Sequence, residues 1–430
     1  MTDVTNQLPL RVAMISEHGD PLAPIGGQES GGQNVFVYEI ARALSARGVR
    51  VDVYSRWDNR KADHIVRFAR HARVIRIKAG PRHFIAKDKL GPLMPEFVER
   101  MLCYIRENKI KYNIIHAHYY YSGWAAVRLK NILGLPFVYT PHSLGVIKHI
   151  ALGEKDSSPE ERKRVEKEVM RRADLVLDTA PTEKKAIKQH YQIPLSHIAV
   201  LPPGVSIRRF KPLDQTRTKK KIGMSAVRHL IVFAGKMEER KGALTAIEAT
   251  AQIVSTRPDL AESLRTIVIS GDRRIGRKRE PKELAVRHML KDAVRDLKIE
   301  KYVQFLPGMP QDDLHYYYAA ADVTVMPSYY EPFGMVAIEA MASGSPVVAS
   351  KVGGLQWTVE PGQTGFLAEA KNPADFAEKI IKVLDDDKLA KHLRDGASKR
   401  IARRFRWEVI AEKAEEIYHE VIKKTEEGQK

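Results

Sequence analysis

Two carboxylates and the helix start between them carry the clearest chemistry in this chain. Glu331 and Glu339 are separated by Pro332-Phe333-Gly334-Met335-Val336-Ala337-Ile338. A β-branched run at 323–327 precedes them and a second apolar run at 346–350 follows, so the segment predicts a buried strand–loop–helix–strand unit. The helix is apolar almost all round, which suits an interior position. Glu339, flanked by Ile338, Ala340 and Met341, is costly to bury unless something hydrogen-bonds it. The amides of Phe333, Gly334 and Met335 open the helix, and free amides with the macrodipole favour an anion. An acid for hydroxyls on either side and amide donors for phosphate between them fit a sugar nucleotide. A buried helix with two solvated or paired acids fits the same spacing.

Further cations and histidines sit where other apolar runs stop. Lys236 and Lys241 follow the run 230–235, five apart in a loop before a helix start, and a diphosphate would satisfy both. Ordinary surface lysines remain the alternative in a chain this basic. Ser270-Gly271-Asp272 and Pro307-Gly308-Met309 also end strands and could line a base pocket. In the first half, the run 11–16 leads to Gly26-Gly27-Gln28-Glu29-Ser30-Gly31-Gly32-Gln33 at a helix start, where backbone can approach a phosphate or sugar closely. It is not the Gly-x-Gly-x-x-Gly fingerprint of dinucleotide sites. Lys87 and Lys89 follow the run 74–78. His116, His118 and Tyr119 end the run 113–118, and His142, Ser143 and Lys148 follow the run 136–140. His-x-His places both rings on one sheet face. Three such histidines could bind a metal, yet no nearby Asp, Glu or Cys completes a ligand set, and contacts to sugar hydroxyls are the better use. Asp385-Asp386-Asp387 has the Asp-x-Asp spacing of metal-dependent transferases but lies in an amphipathic segment, as a surface helix boundary would.

The elements that must position these residues are short apolar runs alternating with helical patterns from end to end. The remaining strand candidates are 51–55, 175–180, 198–202, 266–271 and 303–306. Alternation of this kind predicts parallel sheets with helices on both faces. A Pro-containing basic stretch at 203–229 separates two such sets and reads as a connector. In open parallel sheets ligands gather beyond the carboxyl ends of the strands, which is where the residues above cluster.

The chain has 430 residues, too many for one ordinary core. Its 43% hydrophobic and 29% charged residues describe a soluble globular protein. No stretch has the length of a membrane span, and the start lacks the regions of a signal peptide. Cys103 is the sole cysteine, which excludes an internal disulfide and points to a cytoplasmic protein. The net charge of +19 admits nucleic-acid binding. The basic residues are spread along the chain without a zinc finger, RNA-binding signature or basic arm, so anionic small molecules are the better match.

Taken together these residues resemble the family-four retaining glycosyltransferases of the GT-B architecture over nearly the whole chain. The most specific piece is Glu331-Pro-Phe-Gly-Met-Val-Ala-Ile-Glu339, matching that family's Glu-x7-Glu motif. The resemblance implies an α/β protein of two Rossmann-like doubly wound parallel-sheet domains facing a cleft. Residues 1–205 would take the acceptor and 206–404 the nucleotide sugar, with a C-terminal helix at 405–430 crossing back to the first domain. It implies that Glu331 holds the donor sugar, that Gly32, Met309, Phe333, Gly334, Met335 and Glu339 bind the donor, and that Lys241 and His142 act beside it. Lys236 stands where the family usually has arginine, keeping the charge but losing the bidentate fork.

Within the family, Gly31-Gly32-Gln33, Lys87-Asp88, His116-Ala-His-Tyr119 and His142-Ser143-Leu-Gly-Val-Ile-Lys148 are most similar to the sucrose-phosphate synthases. That likeness implies an acceptor site of Gly31, Gln33, Lys87, Tyr119, Ser143 and Lys148, with Arg162 and Arg164 helping at its phosphate. The reaction implied is transfer of glucose from UDP-glucose to fructose 6-phosphate. No cofactor or metal is required, magnesium being at most stimulatory, and a separate sucrose-phosphate phosphatase is an expected partner. Sucrose synthase and other hexosyltransferases with phosphorylated acceptors are rivals, and a nucleotide-sugar epimerase is the rival from another class. Nucleotide base, donor sugar, acceptor, oligomeric state and regulation stay open at this level.

Overall fold

The structure, a computed structural model, describes residues 9–24, 31–156, 158–271 and 281–428. The chain divides into two compact units, one of residues 1–179, 184–202 and 407–430, the other of residues 180–183 and 203–406.

The first unit is built on an eight-stranded sheet. Its strands are β1 (Arg11–Ile15), β2 (Arg50–Arg56), β3 (Ile65–Ala69), β4 (Ala72–Ile77), β5 (Ile114–His118), β6 (Phe137–Thr140), β7 (Leu175–Asp178) and β8 (Ile198–Val200), in the spatial order β3-β4-β2-β1-β5-β6-β7-β8. β5 is buried along its whole length, as a central parallel strand covered on both faces must be. Helices Met94–Glu107, Tyr120–Leu133 and Glu160–Arg172 cover one face. Helices Gly32–Ala46 and Trp407–Gly428 cover the other. Trp407, Ile410, Ala411, Ala414, Ile417, Tyr418 and Val421 form the buried stripe of that last helix, at the helical spacing that aligns them on one side.

The second unit carries β9 (His229–Gly235), β10 (Leu264–Ser270), β11 (Val303–Pro307), β12 (Val323–Met326), β13 (Val347–Ser350) and β14 (Gly365–Ala368), in the order β11-β10-β9-β12-β13-β14. Helices Ala243–Thr256 and Pro373–Leu384 pack on one face. Helices Gln311–Ala320, Met335–Ala342 and Asp387–Arg404 pack on the other.

Three expectations need correction. The first sheet is not wholly parallel: β3 pairs antiparallel with β4 as an edge hairpin, and only parallel runs had been foreseen. β14 was also missed, because Gly365-Phe-Leu-Ala368 is too short for its pattern to stand out. The stretch 203–229 is not a bare connector. It contains the helix Gln215–Lys221, capped by Asp214, and Lys219 is buried against Asp322 at 2.7 Å. The aspartate triplet is a helix boundary as expected: Pro373–Leu384 ends before it, and the Asp386 carboxylate accepts from the Lys388 and Leu389 amides.

Candidate active site

Each sheet reverses its winding direction once, between β1 and β5 in the first unit and between β9 and β12 in the second. Such switch points open a crevice at the strand carboxyl ends.

In the second unit the chain leaves β9 at Gly235, turns through Lys236 and a 3₁₀ turn at Glu239–Lys241, and enters the helix Ala243–Thr256 at Gly242. Gly242 has φ +73°, and a Cβ there would lie 1.8 Å from the Pro327 carbonyl oxygen. Only glycine lets these two loops close. Tyr329 N donates to Arg240 O at 2.8 Å, sealing them together. Across this seam Lys241 Nζ donates to Glu331 Oε2 at 2.6 Å, with both side chains mostly buried. Lys236 is exposed at the β9 end. Nearby positive charge from Arg240, Lys236 and Lys241 overcomes the cost of burial and holds Glu238 below the usual carboxylate range.

Gly334, at φ +99°, starts the helix Met335–Ala342. A Cβ at Gly334 would approach Leu355 Cδ2 to 2.5 Å, so the turn that presents the Phe333–Met335 amides depends on glycine. Phe333 is pinned through its carbonyl, which accepts from Thr358 Oγ1 at 2.8 Å. Glu339 is buried, and its Oε1 accepts from Gln311 Nε2 at 2.8 Å. Burial pushes its pKa up to about 7, against the opposing pull of Gln311 and Arg209. Arg209 Nη1 in turn donates to Gln311 Oε1 at 2.9 Å. Met309, half-buried against the core, lies two residues before Gln311. β10 and β11 end together, Gly271 against Gly308, while Asp272 lies outside the described residues.

At the first unit's switch point, Gln33 Nε2 donates to Ser16 Oγ at 3.0 Å and to His118 O at 3.4 Å. Gly31 N donates to Asn34 Oδ1 at 3.0 Å as Gly32 opens the helix. The loop residues 26–30 lie outside the described residues. Tyr119 and His142 follow β5 and β6 at φ +79° and +58°, conformations that side-chain-bearing residues hold only when their surroundings over-determine them. Tyr119 is buried, with the Arg162 guanidinium 5.0 Å over its ring. Tyr120 OH donates to Asp88 Oδ1 at 3.0 Å, which draws in the turn Lys87–Lys89. Arg162 Nη2 donates to Ser143 O at 2.7 Å and Ser143 Oγ at 2.9 Å. Lys148 Nζ lies 2.8 Å from Asp156 Oδ1 and donates to Ser158 Oγ at 3.0 Å, which Arg162 Nη1 reaches at 3.4 Å. Lys148 and Arg162 thus converge on one hydroxyl.

Two of the named residues are not brought into this cluster. Arg164 is exposed and faces Glu161 at 3.9 Å, because two residues along a helix turn its side chain away from Arg162. His116 is committed to the core: Nδ1 meets Tyr418 OH at 2.7 Å and Nε2 meets Thr140 Oγ1 at 2.9 Å, leaving nothing for a sugar hydroxyl. Among the described residues no group of three His, Cys, Asp or Glu could hold a metal ion.

Several supporting residues were not foreseen. Glu166, fully buried, accepts from Arg162 Nε at 2.7 Å, Gly145 N at 3.0 Å and Tyr191 OH. Its position four after Arg162 was the available signal, since such pairs share a helix face. Gln311, Asp156 and Arg56 had no local signal. Arg56 donates to the carbonyls of Pro81 at 2.8 Å and His83 at 2.6 Å and so anchors the loop leading to Lys87.

Residues 30–209 match the family model described as Glycosyltransferase Family 4, and residues 214–400 match Glycosyl transferases group 1. The chain belongs to glycosyltransferase family 4. It is a glycosyltransferase of the GT-B fold. The D-inositol 3-phosphate glycosyltransferase of Corynebacterium glutamicum is 33% identical over 417 residues, covering 96% of this chain and 97% of the relative. The enzyme of the same name from Acidothermus cellulolyticus is 34% identical over 420 residues, covering 96% and 91%. Among solved structures, sucrose-phosphate synthase from Thermosynechococcus elongatus is similar with a TM-score of 0.86 at 33% identity, covering 96% of this chain and 99% of that one. Among the described residues of this glycosyltransferase no helix is long and apolar enough to cross a membrane.

Proposed function

We propose that this glycosyltransferase moves a hexose, with retention, from a nucleotide sugar held by the second unit to a phosphorylated polyol held by the first. The specific reading is glucose from UDP-glucose to fructose 6-phosphate, giving sucrose 6-phosphate and UDP. The observation that carries a phosphorylated acceptor is the convergence of Lys148 and Arg162 on Ser158 beside Ser143 and Tyr119. A phosphate monoester offers the charge and the several acceptor oxygens to replace Ser158 and Asp156 there. The likeness to sucrose-phosphate synthase supports fructose 6-phosphate. The full-length relatives named D-inositol 3-phosphate glycosyltransferases favour a second reading, an inositol phosphate in the same pocket.

On the donor side, Glu339 takes the ribose hydroxyls, the 333–335 amides meet sugar or phosphate, and Glu331 takes the hexose hydroxyls. Glu331 then exchanges its contact with Lys241 for the donor. Because Glu331 is committed to those hydroxyls, no carboxylate is assigned as a nucleophile, and a front-face route follows. The departing diphosphate takes the proton of the acceptor hydroxyl while Lys236, Lys241 and the helix terminus stabilise its growing charge. These cations do the work a metal would, so no metal is required.

The test is a matrix of UDP-, ADP- and GDP-hexoses against fructose 6-phosphate, free fructose and D-myo-inositol 3-phosphate, read as nucleotide release with product anomers assigned by NMR. UDP release that needs a phosphorylated acceptor, with α-product, supports the proposal. Donor consumption without any acceptor would instead mean an epimerase. Tight binding to nucleic acid that falls steeply with salt, without UDP binding, would return the charge to a nucleic-acid role.

A further inference from the structure

Among the described residues, the paired histidines at the ends of β5 and β6 leave one buried nitrogen without a partner, and that nitrogen decides where a proton sits. His118 Nδ1 and His142 Nε2 are 3.0 Å apart, so one of them carries the hydrogen and the other accepts it. His118 is fully enclosed: its ring lies 4.0 Å from that of His116, and Phe36 packs on both His118 and His142. Its Nε2 is buried and has no hydrogen-bond partner among the described residues. Burial and the neighbouring rings keep both imidazoles uncharged, His142 being lowered to about 3. Each ring then has one N–H.

Two arrangements remain. If His142 Nε2–H donated to His118 Nδ1, the hydrogen on His118 would have to sit on Nε2, a buried donor with nothing to receive it. If His118 Nδ1–H donates to His142 Nε2, the bare atom is only an acceptor lone pair. Orphaned buried N–H groups are the rarer and costlier defect. His116 does not alter this choice, because Tyr418 and Thr140 take both its nitrogens.

We propose that His118 is a positioning residue that donates Nδ1–H to His142 Nε2 and thereby fixes His142 as the Nδ1–H tautomer, so that His142 meets the donor sugar as a hydrogen-bond donor. The direction in which His142 can act is thus set from behind by a side chain that never touches substrate. The consequence for catalysis rests on the proposed place of His142 beside the donor sugar. The tautomer itself does not.

The experiment is a long-range ¹H–¹⁵N correlation of the imidazole nitrogens in the full-length protein labelled at histidine, with kinetics on two variants. In the wild type, His142 should show a protonated Nδ1 and an unprotonated Nε2, unchanged from pH 6 to 8. His118→Phe keeps an aromatic ring but removes the donor. It should shift His142 to Nε2–H or to an exchanging mixture and lower kcat/KM for the nucleotide sugar about tenfold, as loss of one oriented hydrogen bond does, while KM for the acceptor moves less than twofold. His118→Asn places an amide nitrogen near the lost Nδ1 and should restore both. A wild-type spectrum with Nε2–H on His142 overturns the proposal, whether or not the variants fold. So does a folded His118→Phe protein with unchanged His142 signals. A correct tautomer together with a His142→Ala variant of undiminished donor use would uphold His118 and overturn only the catalytic reading of His142.

Discussion

The two switch points solve the same positioning problem with different materials. In the second unit the backbone does it: Gly242 and Gly334 adopt positive φ, close two loops without side chains, and leave Lys241, Glu331 and the 333–335 amides beyond the carboxyl ends of β9 and β12. In the first unit side chains do it. Tyr119 and His142 hold positive φ without being glycine, and layers of buried polar groups (Glu166 behind Arg162, His118 behind His142) keep them there. A backbone-built site is rigid because few atoms can move. A side-chain-built site is rigid only while each partner is present. The first should therefore fail by losing geometry, the second by losing one specific contact.

The largest effect expected is at the seam of the second unit. Glu331→Ala and Lys241→Ala should each reduce kcat by about 10²–10³-fold, the scale of losing a group that stabilises developing charge. Near-normal turnover in both, measured under saturating substrates, would remove the candidate site. Next comes Lys148→Ala, with an increase of about 10- to 100-fold in KM for a phosphorylated acceptor, one charge-assisted contact being worth about 1.5–3 kcal/mol. The free sugar should be used as before. An equal loss with fructose would place the phosphate elsewhere.

Gly334→Ala should cost about 1–2 kcal/mol of stability from forcing a side chain into the left-handed region. It should also weaken UDP binding, read by calorimetry beside thermal melting. A neutral outcome would break the claim that the second unit relies on its backbone.

The smallest effect is a pH dependence. The Glu339 pKa rises to about 7 in the folded chain, so its carboxylate is protonated below that value and cannot accept from two hydroxyls. Donor KM should rise a few-fold from pH 8 to pH 6, and Glu339→Gln should flatten the profile. The stability sign is the reverse. A carboxyl whose folded pKa is raised favours the folded state while protonated, below the unfolded value near 4.5, and that advantage is lost as pH climbs through about 7. Glu339→Gln should thus raise the melting temperature more at pH 8 than at pH 5.

The parallel strands of both sheets, β14 excepted, could be read from their apolar runs, and the ends of those runs led to Glu331, Lys241 and His142, while Arg162 came from the likeness to the sucrose-phosphate synthases. β3 escaped because Ile65-Val66-Arg67-Phe68-Ala69 is an edge strand with one arginine and partial exposure. Arg164 was grouped with Arg162 through the likeness to the sucrose-phosphate synthases, although residues two apart on a helix point in different directions, and only the fold shows that Arg162 takes the buried side. His116 was grouped with His118 because both lie on one face of β5, yet Tyr418, 302 residues away, claims only the first.

Sequence alone determined the alternation of strands and helices, the glycines at the turns, and the acid pair around the helix start, because these depend on local sterics, periodicity and the electrostatics of a helix end. Only the tertiary structure decided which side chains are held and which are spent. That choice depends on hydrogen-bond partners brought in from far along the chain, Glu339 to Gln311 and His116 to Tyr418, and on burial, which makes each unsatisfied polar atom costly enough to fix its orientation.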